Sequence, residues 1–296
     1  MRNRLKTPKR RGLFNRMRAL LFLKLSGIGY RLAPGVISGW FRRWFFSTKP
    51  YRLQHAQEAL RGQARHLFIE NKNNKISILE WGSGPVILLV HGWNGRALQM
   101  SHFIEPLLGC GFKVVAFDHK GHGESSSRYS SFLEMTEGTQ LVMAHYAQDL
   151  SGIIAHSIGC NTVLKASEDA RQDLKITLIA PVDDFLAWLE KVRMRIGIDA
   201  RLFDHVIGMI EADTGLKLAE QCMLEESKIS RHRLQLVHDK FDRINRIEAS
   251  YKLQEKFPGT PLVETEALGH ARILANPEVV AQVVRHVADK GELFNS

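Results

Sequence analysis

The segment Gly152–Gly159, with the sequence GIIAHSIG, places a serine between a strand pattern and a helix pattern. Gly152–His156 is apolar enough for a buried strand, and helical periodicity begins at Ile158. Ala155 and Gly159 flank Ser157 at positions −2 and +2, and such small neighbours permit the strained turn that lifts a hydroxyl above a sheet. The usual pattern has glycine at both positions. The segment therefore predicts a nucleophilic Ser157, against the alternative that this serine is only a helix N-cap.

Strand and helix patterns alternate on both sides of this segment. Predicted strands are His66–Glu70, Lys75–Glu80, Val86–Val90, Lys113–Phe117, Gly152–His156, Lys175–Ala180, Arg233–His238 and Pro261–Thr265. Predicted helices are Ala97–Leu108, Gly138–Leu150, Ile158–Asp169, Asn245–Phe257 and Pro277–Ala288. This alternation predicts an α/β fold with a mostly parallel, doubly wound sheet. Ligands of such sheets bind beyond the carboxyl ends of the strands.

The alternation stops between residues 181 and 230, where apolar residues recur at helical spacing. We therefore expect four regions. They are a basic, aromatic-rich segment at 1–50, a first core part at 51–180, a helical insertion at 181–230 and a second core part at 231–296.

A serine hydroxyl needs a base within hydrogen-bonding reach and an acid that orients this base. His270 follows the strand at Pro261–Thr265, and Asp242 follows the strand at Arg233–His238. The chain order Ser157, Asp242, His270 is the one described for serine enzymes built on this kind of sheet. Asp239 remains an alternative acid, followed by Asp183 or Asp184 after the strand at Lys175–Ala180.

Backbone donors for an oxyanion are expected after the strand at Val86–Val90, where His91, Gly92 and Trp93 follow. Acyl transfer needs N–H groups aimed at the oxygen of the tetrahedral intermediate. The N–H groups of Trp93 and of Ile158, the residue after Ser157, form the natural pair. His91 and Gly92 are expected to support this loop, His91 through hydrogen bonds.

Taken together, these motifs resemble an α/β-hydrolase fold serine hydrolase of the broad esterase/lipase superfamily. The resemblance covers roughly residues 60–290 and includes the turn Asp118–Ser125, which matches the D-x-x-G-x-G-x-S pattern of that superfamily. It implies that the insertion at 181–230 is a helical cap over the active site. The chain departs from it after Asp242, where the proline of a common D-x-x-x-P pattern is absent.

No metal and no organic cofactor are expected. His119 and His122 form an H-x-x-H pair without an evident third ligand, so packing in a turn is the favoured interpretation. The three cysteines, Cys110, Cys160 and Cys222, are far apart and contain no CxxC pair. They predict core residues in a reducing, cytoplasmic compartment.

The net positive charge of the chain comes from its first 50 residues. They hold 13 Lys and Arg and no acid, which leaves 28 basic and 31 acidic residues in the rest. We therefore expect no nucleic-acid binding by the body. A basic stretch runs from Met1 to Arg18, and an apolar stretch from Ala19 to Ile28 follows it.

The sequence WFRRWFF at Trp40–Phe46 places arginines among aromatic rings, a mixture suited to a membrane interface. Three interpretations of residues 1–50 stay open. The first is peripheral membrane contact, which for a cytoplasmic protein would be on the inner face of the membrane. The second is packing on the catalytic body, and the third is export.

The sequence thus predicts an enzyme whose small-molecule substrate is a carboxylic ester or thioester. The same constellation also supports C–C bond hydrolysis, perhydrolysis or acyl transfer to an acceptor other than water. An aspartate in place of Ser157 would have indicated dehalogenation or epoxide opening. A different kind of hypothesis is a membrane-surface binding protein with an inactive hydrolase body.

Overall fold

The computed structural model describes residues 28–49, 51–71, 74–167, 174–214, 217–218 and 233–289. Its strands are β1 (Arg65–Asn71), β2 (Asn74–Trp81), β3 (Val86–Val90), β4 (Lys113–Phe117), β5 (Leu150–His156), β6 (Lys175–Ile179), β7 (Arg233–Asp239) and β8 (Leu262–Thr265). Its α-helices are α1 (Pro34–Phe45), α2 (His55–Gln63), α3 (Ile104–Gly109), α4 (Phe132–His145), α5 (Ile158–Ala166), α6 (Phe185–Ile196), α7 (Ala200–Thr214), α8 (Glu248–Lys256), α9 (Gly269–Arg272) and α10 (Pro277–Ala288). Two 3₁₀ helices lie at Ala97–Phe103 and Ile273–Ala275.

The eight strands form one sheet in the order β1-β2-β4-β3-β5-β6-β7-β8. β1 pairs with β2 and β2 with β4 in antiparallel fashion, whereas every pair from β4 to β8 is parallel. The expected mostly parallel α/β sheet is confirmed. Its parallel strands end at one edge, which places the loops after β3, β4, β5, β6, β7 and β8 along that edge.

β3 shows why the sequence forms a sheet buried on both faces. Val86, Leu88 and Val90 lie in the hydrophobic cluster on one face, and Ile87 and Leu89 lie in the cluster on the other. All five are at most 1% exposed. Because burying a side chain of this size contributes roughly 1.5–3 kcal/mol relative to exposure, the continuous run VILLV fixes a central strand.

The predicted helix at Gly138–Leu150 is wrong in its bounds, because α4 spans Phe132–His145. The hydroxyl of Ser131 accepts a hydrogen bond from the backbone N–H of Glu134, which satisfies a free donor of the first turn. The helix therefore begins at this cap. Leu150 already belongs to β5.

By internal contacts, the described residues divide into two compact units. The larger unit is drawn from residues 46–185 and 221–296 and holds the sheet. The smaller is drawn from residues 1–45 and 186–220, and its helices include α1 and α7. The four expected regions remain a prediction. Three features of the sequence analysis lie outside the described residues. They are the apolar stretch at Ala19–Ile28 apart from Ile28 itself, the end of the insertion at 181–230, and Cys222.

None of the described helices is long and apolar enough to cross a bilayer.

Candidate active site

Ser157 occupies the sharp turn between β5 and α5. Its backbone angles are φ 56° and ψ −133°, a strained conformation for a residue that carries a Cβ atom. Two glycines make room for this turn. A Cβ atom on Gly159 would lie 2.6 Å from the carbonyl oxygen of His91, and one on Gly92 would lie 2.8 Å from the Cβ of Ser157. The strained turn thus needs a close backbone approach from the loop after β3.

Ala155, the departure from the usual glycine, is fully buried in β5 and belongs to the hydrophobic core on one face of the sheet. Its methyl group therefore packs with other apolar side chains. The turn forms with this alanine at position −2.

Three side chains that are distant in sequence meet at the carboxyl edge of the sheet. The Oγ of Ser157 lies 3.0 Å from the Nε2 of His270, and the Nδ1 of His270 lies 2.7 Å from the Oδ2 of Asp242. A carboxylate can only accept, so Nδ1–H donates to Asp242 and Nε2 is left to accept from the serine hydroxyl. This is the geometry that a nucleophile, a base and an orienting acid require.

Asp242 is held by its own loop as well as by the imidazole. Its Oδ1 accepts hydrogen bonds from the backbone N–H groups of Ile244, at 2.7 Å, and Asn245, at 3.1 Å. Burial acts to raise the pKa of Asp242, but the hydrogen bond and charge of His270 and these two backbone donors outweigh it and lower the pKa. Asp242 is therefore ionised at neutral pH.

Asp239, the alternative acid, faces a different set of partners. Its Oδ1 accepts from the N–H of Phe241, and its Oδ2 accepts from the N–H of Leu268 and the hydroxyl of Thr265. These bonds tie the loop after β7 to the loop after β8. The carboxylate of Asp183, a further alternative, pairs with Lys252 at 2.7 Å and not with His270.

The loop after β3 holds the predicted oxyanion donors in place. His91 is fully buried, its Nδ1–H donates to the carbonyl of Gly92, and its Nε2 accepts from the N–H of His119. Burial lowers the pKa of His91 to about 4, so the ring is neutral. In the described part of the chain, neither the N–H of Trp93 nor that of Ile158 donates to a protein acceptor.

His122 and Asp118 complete this loop region. The Nε2 of His122 accepts from the N–H of Asn94, and Asp118 accepts from the N–H groups of Ala97 and Glu124. Burial lowers the pKa of His122 to about 3. Among the described residues, no group of three His, Cys, Asp or Glu side chains is arranged to hold a metal ion.

Asn245 is a site residue that the sequence analysis missed. Its side-chain amide donates to the carbonyl of Ala180 at 2.8 Å and approaches the Oγ of Ser157 at 3.4 Å. It is 5% exposed. A single asparagine in a loop gives no signal by itself, since the pairing with Ser157 spans 88 residues of sequence.

His156 and His238, at the ends of β5 and β7, both brace the site. The Nε2–H of His156 donates to the backbone carbonyl of His270 at 2.9 Å, while its Nδ1 has no partner among the described residues. His238 contacts the hydroxyl of Ser250 through Nδ1 and the carbonyl of Asn245 through Nε2. The strand ends thus position the two loops that carry Asp242 and His270.

Comparisons with known proteins agree with this architecture. Residues 85–221 match the family model described as alpha/beta hydrolase fold. A solved esterase of Pyrococcus furiosus is similar in structure, with 18% identity, a TM-score of 0.59, and coverage of 82% of this chain and 96% of that one. The chain has the α/β-hydrolase fold, so the fold that the resemblance implied is confirmed.

Curated relatives match over shorter stretches. A non-heme haloperoxidase of Rhodococcus erythropolis is 32% identical over 77 residues, which are 26% of this chain and 25% of that protein. Epoxide hydrolase 3 of Siraitia grosvenorii is 28% identical over 107 residues, which are 36% of this chain and 31% of that protein. The chain thus aligns with less than a third of the length of these two relatives.

Proposed function

We propose that this protein is a serine hydrolase that cleaves a carboxylic ester or thioester through an acyl-enzyme intermediate. The proposal rests on the unbroken chain of hydrogen bonds from Ser157 through His270 to Asp242. The fold alone hosts several reactions, so the assignment depends on this geometry.

In the first half of the reaction, the Oγ of Ser157 attacks the carbonyl carbon of the substrate and its proton passes to Nε2 of His270. Asp242 keeps His270 in the required tautomer and stabilises the imidazolium that forms. The N–H groups of Trp93 and Ile158 donate to the oxyanion, and removal of one such donor typically costs about 3–4 kcal/mol of transition-state stabilisation. Ile158 also begins α5, whose N-terminal dipole favours negative charge.

In the second half, the tetrahedral intermediate collapses, the bond to the alcohol or thiol breaks, and His270 returns its proton to that leaving group. Water then attacks the acyl-enzyme while His270 accepts one of its protons. The proton passes to Oγ as the carboxylic acid departs, which restores Ser157. No group outside the chain has to accept or donate electrons.

The nucleophile separates this proposal from the activity named for one of these relatives, the epoxide hydrolase. A serine at the turn after β5 forms an acyl ester with a carbonyl substrate, whereas an aspartate there would favour epoxide opening. C–C bond hydrolysis, perhydrolysis and acyl transfer use the same acyl-enzyme chemistry and are distinguished by their substrates and products. The ester or thioester hydrolysis proposed here requires neither peroxide nor a second acceptor.

Asn245 has a positioning role in this proposal. Its amide is anchored on the carbonyl of Ala180, and the 3.4 Å approach to Ser157 restricts where the Oγ can lie. The residue therefore acts through the nucleophile, without a place in the proton transfer.

A fluorophosphonate probe tests the nucleophile directly, because it forms a stable bond with an activated serine. We expect wild-type protein to be labelled on Ser157, as seen by mass spectrometry of the labelled peptide, and Ser157→Ala to stay unlabelled. Ser83→Ala, which alters an exposed serine in the turn before β3, is the matched control and should be labelled like wild type. Absence of labelling in folded wild-type protein would overturn the proposal.

A series of nitrophenyl esters from acetyl to palmitoyl, together with matched acyl thioesters, then defines the substrate. Release of nitrophenol by wild-type protein but not by Ser157→Ala is the expected result. The prediction of a cytoplasmic location stays a part of this proposal. Cys110 and Cys160 are both free, which is compatible with a reducing compartment. Cys160 is buried as predicted, whereas the predicted core position of Cys110 is wrong because this residue is exposed.

A further inference from the structure

Five large apolar side chains form an exposed stripe along the helical segment at 28–45. Ile28, Leu32, Val36, Trp40 and Trp44 are 58%, 82%, 74%, 45% and 38% exposed. They recur at intervals of four residues, and side chains three or four apart are neighbours on a helix surface. We call this set the apolar stripe.

The other face of the same helix is attached within its own compact unit. Phe41 is fully buried and its ring stacks on that of Phe45 with centroids 5.4 Å apart. Phe45 in turn meets Phe203 of α7 edge to face at 5.9 Å, and Arg42 forms an ion pair with Asp213 of α7. These contacts use the face that carries Phe41, so Val36, Trp40 and Trp44 on α1 stay at the surface of this unit, in line with Ile28 and Leu32 before it.

The apolar stripe exposes more contiguous apolar surface than isolated exposed residues would. Single exposed apolar residues are ordinary, but contiguous ones mark interaction surfaces. Of the 11 large hydrophobic residues that are exposed in the described part of the chain, five belong to the stripe. The stripe therefore has the composition of a docking surface.

The charges around the stripe identify its partner. Arg31 and Arg43 are exposed on the same helical segment, and residues 1–50 contain 13 Lys and Arg with no acid. A second copy of the chain would bring two such cationic segments together, which electrostatic repulsion opposes. A surface that is negatively charged on its outside and apolar beneath fits both the cationic residues and the apolar stripe.

We propose that the apolar stripe docks on a bilayer that contains anionic lipids, with the helix lying in the plane of the interface. Leu32 and Val36 enter the boundary of the acyl chains, and the indole rings of Trp40 and Trp44 lie at headgroup depth. Arg31 and Arg43 meet the lipid phosphates. This inference goes beyond the proposed reaction and holds whichever substrate the enzyme cleaves.

Flotation of the full chain with vesicles tests the proposal. We expect binding to vesicles of phosphatidylcholine with phosphatidylglycerol, little binding to phosphatidylcholine alone, and release at high salt. The double variant Leu32→Gln/Val36→Gln changes the two most exposed members of the stripe and should weaken binding about tenfold or more. Met194→Gln, a change at a 66% exposed residue of the same unit, is the matched control and should bind like wild type.

Two further measurements keep the outcomes distinct. Hydrolysis of a soluble nitrophenyl ester should be equal in the double variant and in wild type, which shows that the variant is folded. If the double variant binds as well as wild type, or if binding ignores the anionic lipid, the proposal is wrong. It is also wrong if size-exclusion chromatography shows wild-type dimers that the double variant loses, because the stripe then serves a second copy of the chain.

Discussion

Two groups of histidine and aspartate lie at the carboxyl edge of the same sheet, and only one has the geometry that the proposed reaction requires. The first, the loop cluster, consists of His91, Asp118, His119 and His122 after β3 and β4. The second, the serine cluster, consists of His156 at the end of β5 together with residues that follow β5, β7 and β8, namely Ser157, Asp242, Asn245 and His270. Both groups contain buried rings beside a buried carboxylate.

The difference lies in what each carboxylate binds. Asp118 accepts two backbone N–H groups and no imidazole, and His91 and His122 are left neutral by burial, which lowers the pKa of each. Asp242 divides its oxygens between backbone N–H groups and the ring of His270, whose side chain is 18% exposed. Under the proposed mechanism, the same residue types therefore support proton transfer only where one ring meets a carboxylate, a hydroxyl and solvent.

Replacing one ring from each cluster should give the largest contrast. We expect His270→Gln to lower kcat by about 10⁴-fold or more, because the base is lost, while the free energy of unfolding changes little. His122→Gln should instead lower the free energy of unfolding by about 1–3 kcal/mol, because the glutamine amide does not place an acceptor where the buried Nε2 meets the N–H of Asn94. Steady-state kinetics measures kcat for both variants, and urea denaturation measures their free energies of unfolding. Equal losses of kcat in the two folded variants would contradict the comparison.

The two aspartates after β7 provide the next contrast. Asp242→Asn should lower kcat by about 10³- to 10⁴-fold, because an amide cannot hold His270 in the required tautomer or stabilise its cation. Asp239→Asn should lower kcat by less than about tenfold and act mainly on stability, since Asp239 bonds the N–H of Leu268 and the hydroxyl of Thr265. A larger kinetic loss in Asp239→Asn would make that residue the acid.

Acid should destabilise the fold through the neutral rings of both clusters. Burial lowers the pKa of His91 to about 4 and of His122 and His156 to about 3, whereas the unfolded imidazole titrates near 6.5. Between these values the unfolded state binds protons that the folded state does not. Stability is therefore complete above about pH 6.5 and falls as the pH drops toward 4, by on the order of 1 kcal/mol per pH unit for each ring.

Urea denaturation at several pH values between 7.5 and 5 checks this linkage. The free energies of unfolding and the midpoint urea concentrations are compared at constant ionic strength. His122→Gln, which removes one titrating ring, should give a shallower dependence than wild type. A stability that is flat or that rises toward pH 5 would show that these rings are protonated in the folded protein.

Within the serine cluster, the smallest effect is expected at Asn245. Asn245→Ala should lower kcat about tenfold and leave KM nearly unchanged, because the amide positions Ser157 and binds no substrate in the proposed mechanism. The rate of fluorophosphonate labelling should fall in parallel with kcat. A change confined to the melting temperature, with normal labelling, would reduce Asn245 to a structural contact with Ala180.

Much of the architecture could be predicted because local patterns determine it. The bounds of β3 and β4 agree with their apolar runs, and α10 begins at Pro277 as expected, since Asn276 caps its first turn. The bounds of α4 were wrong because the cap formed by Ser131 and Glu134 outweighs the apolar pattern further along the chain. Local chemistry thus sets most elements, provided that caps are counted.

The sequence by itself determined the sheet and the turn at Ser157, together with the order in which a serine, an acid and a base follow its strands. These depend on short-range periodicity and on small residues at fixed positions. Only the tertiary structure decided that Asp242, and not Asp239 three residues earlier, faces His270, and that Asn245 reaches Ser157. Those pairings join loops that are distant in sequence, and their geometry is set by how neighbouring strands pair.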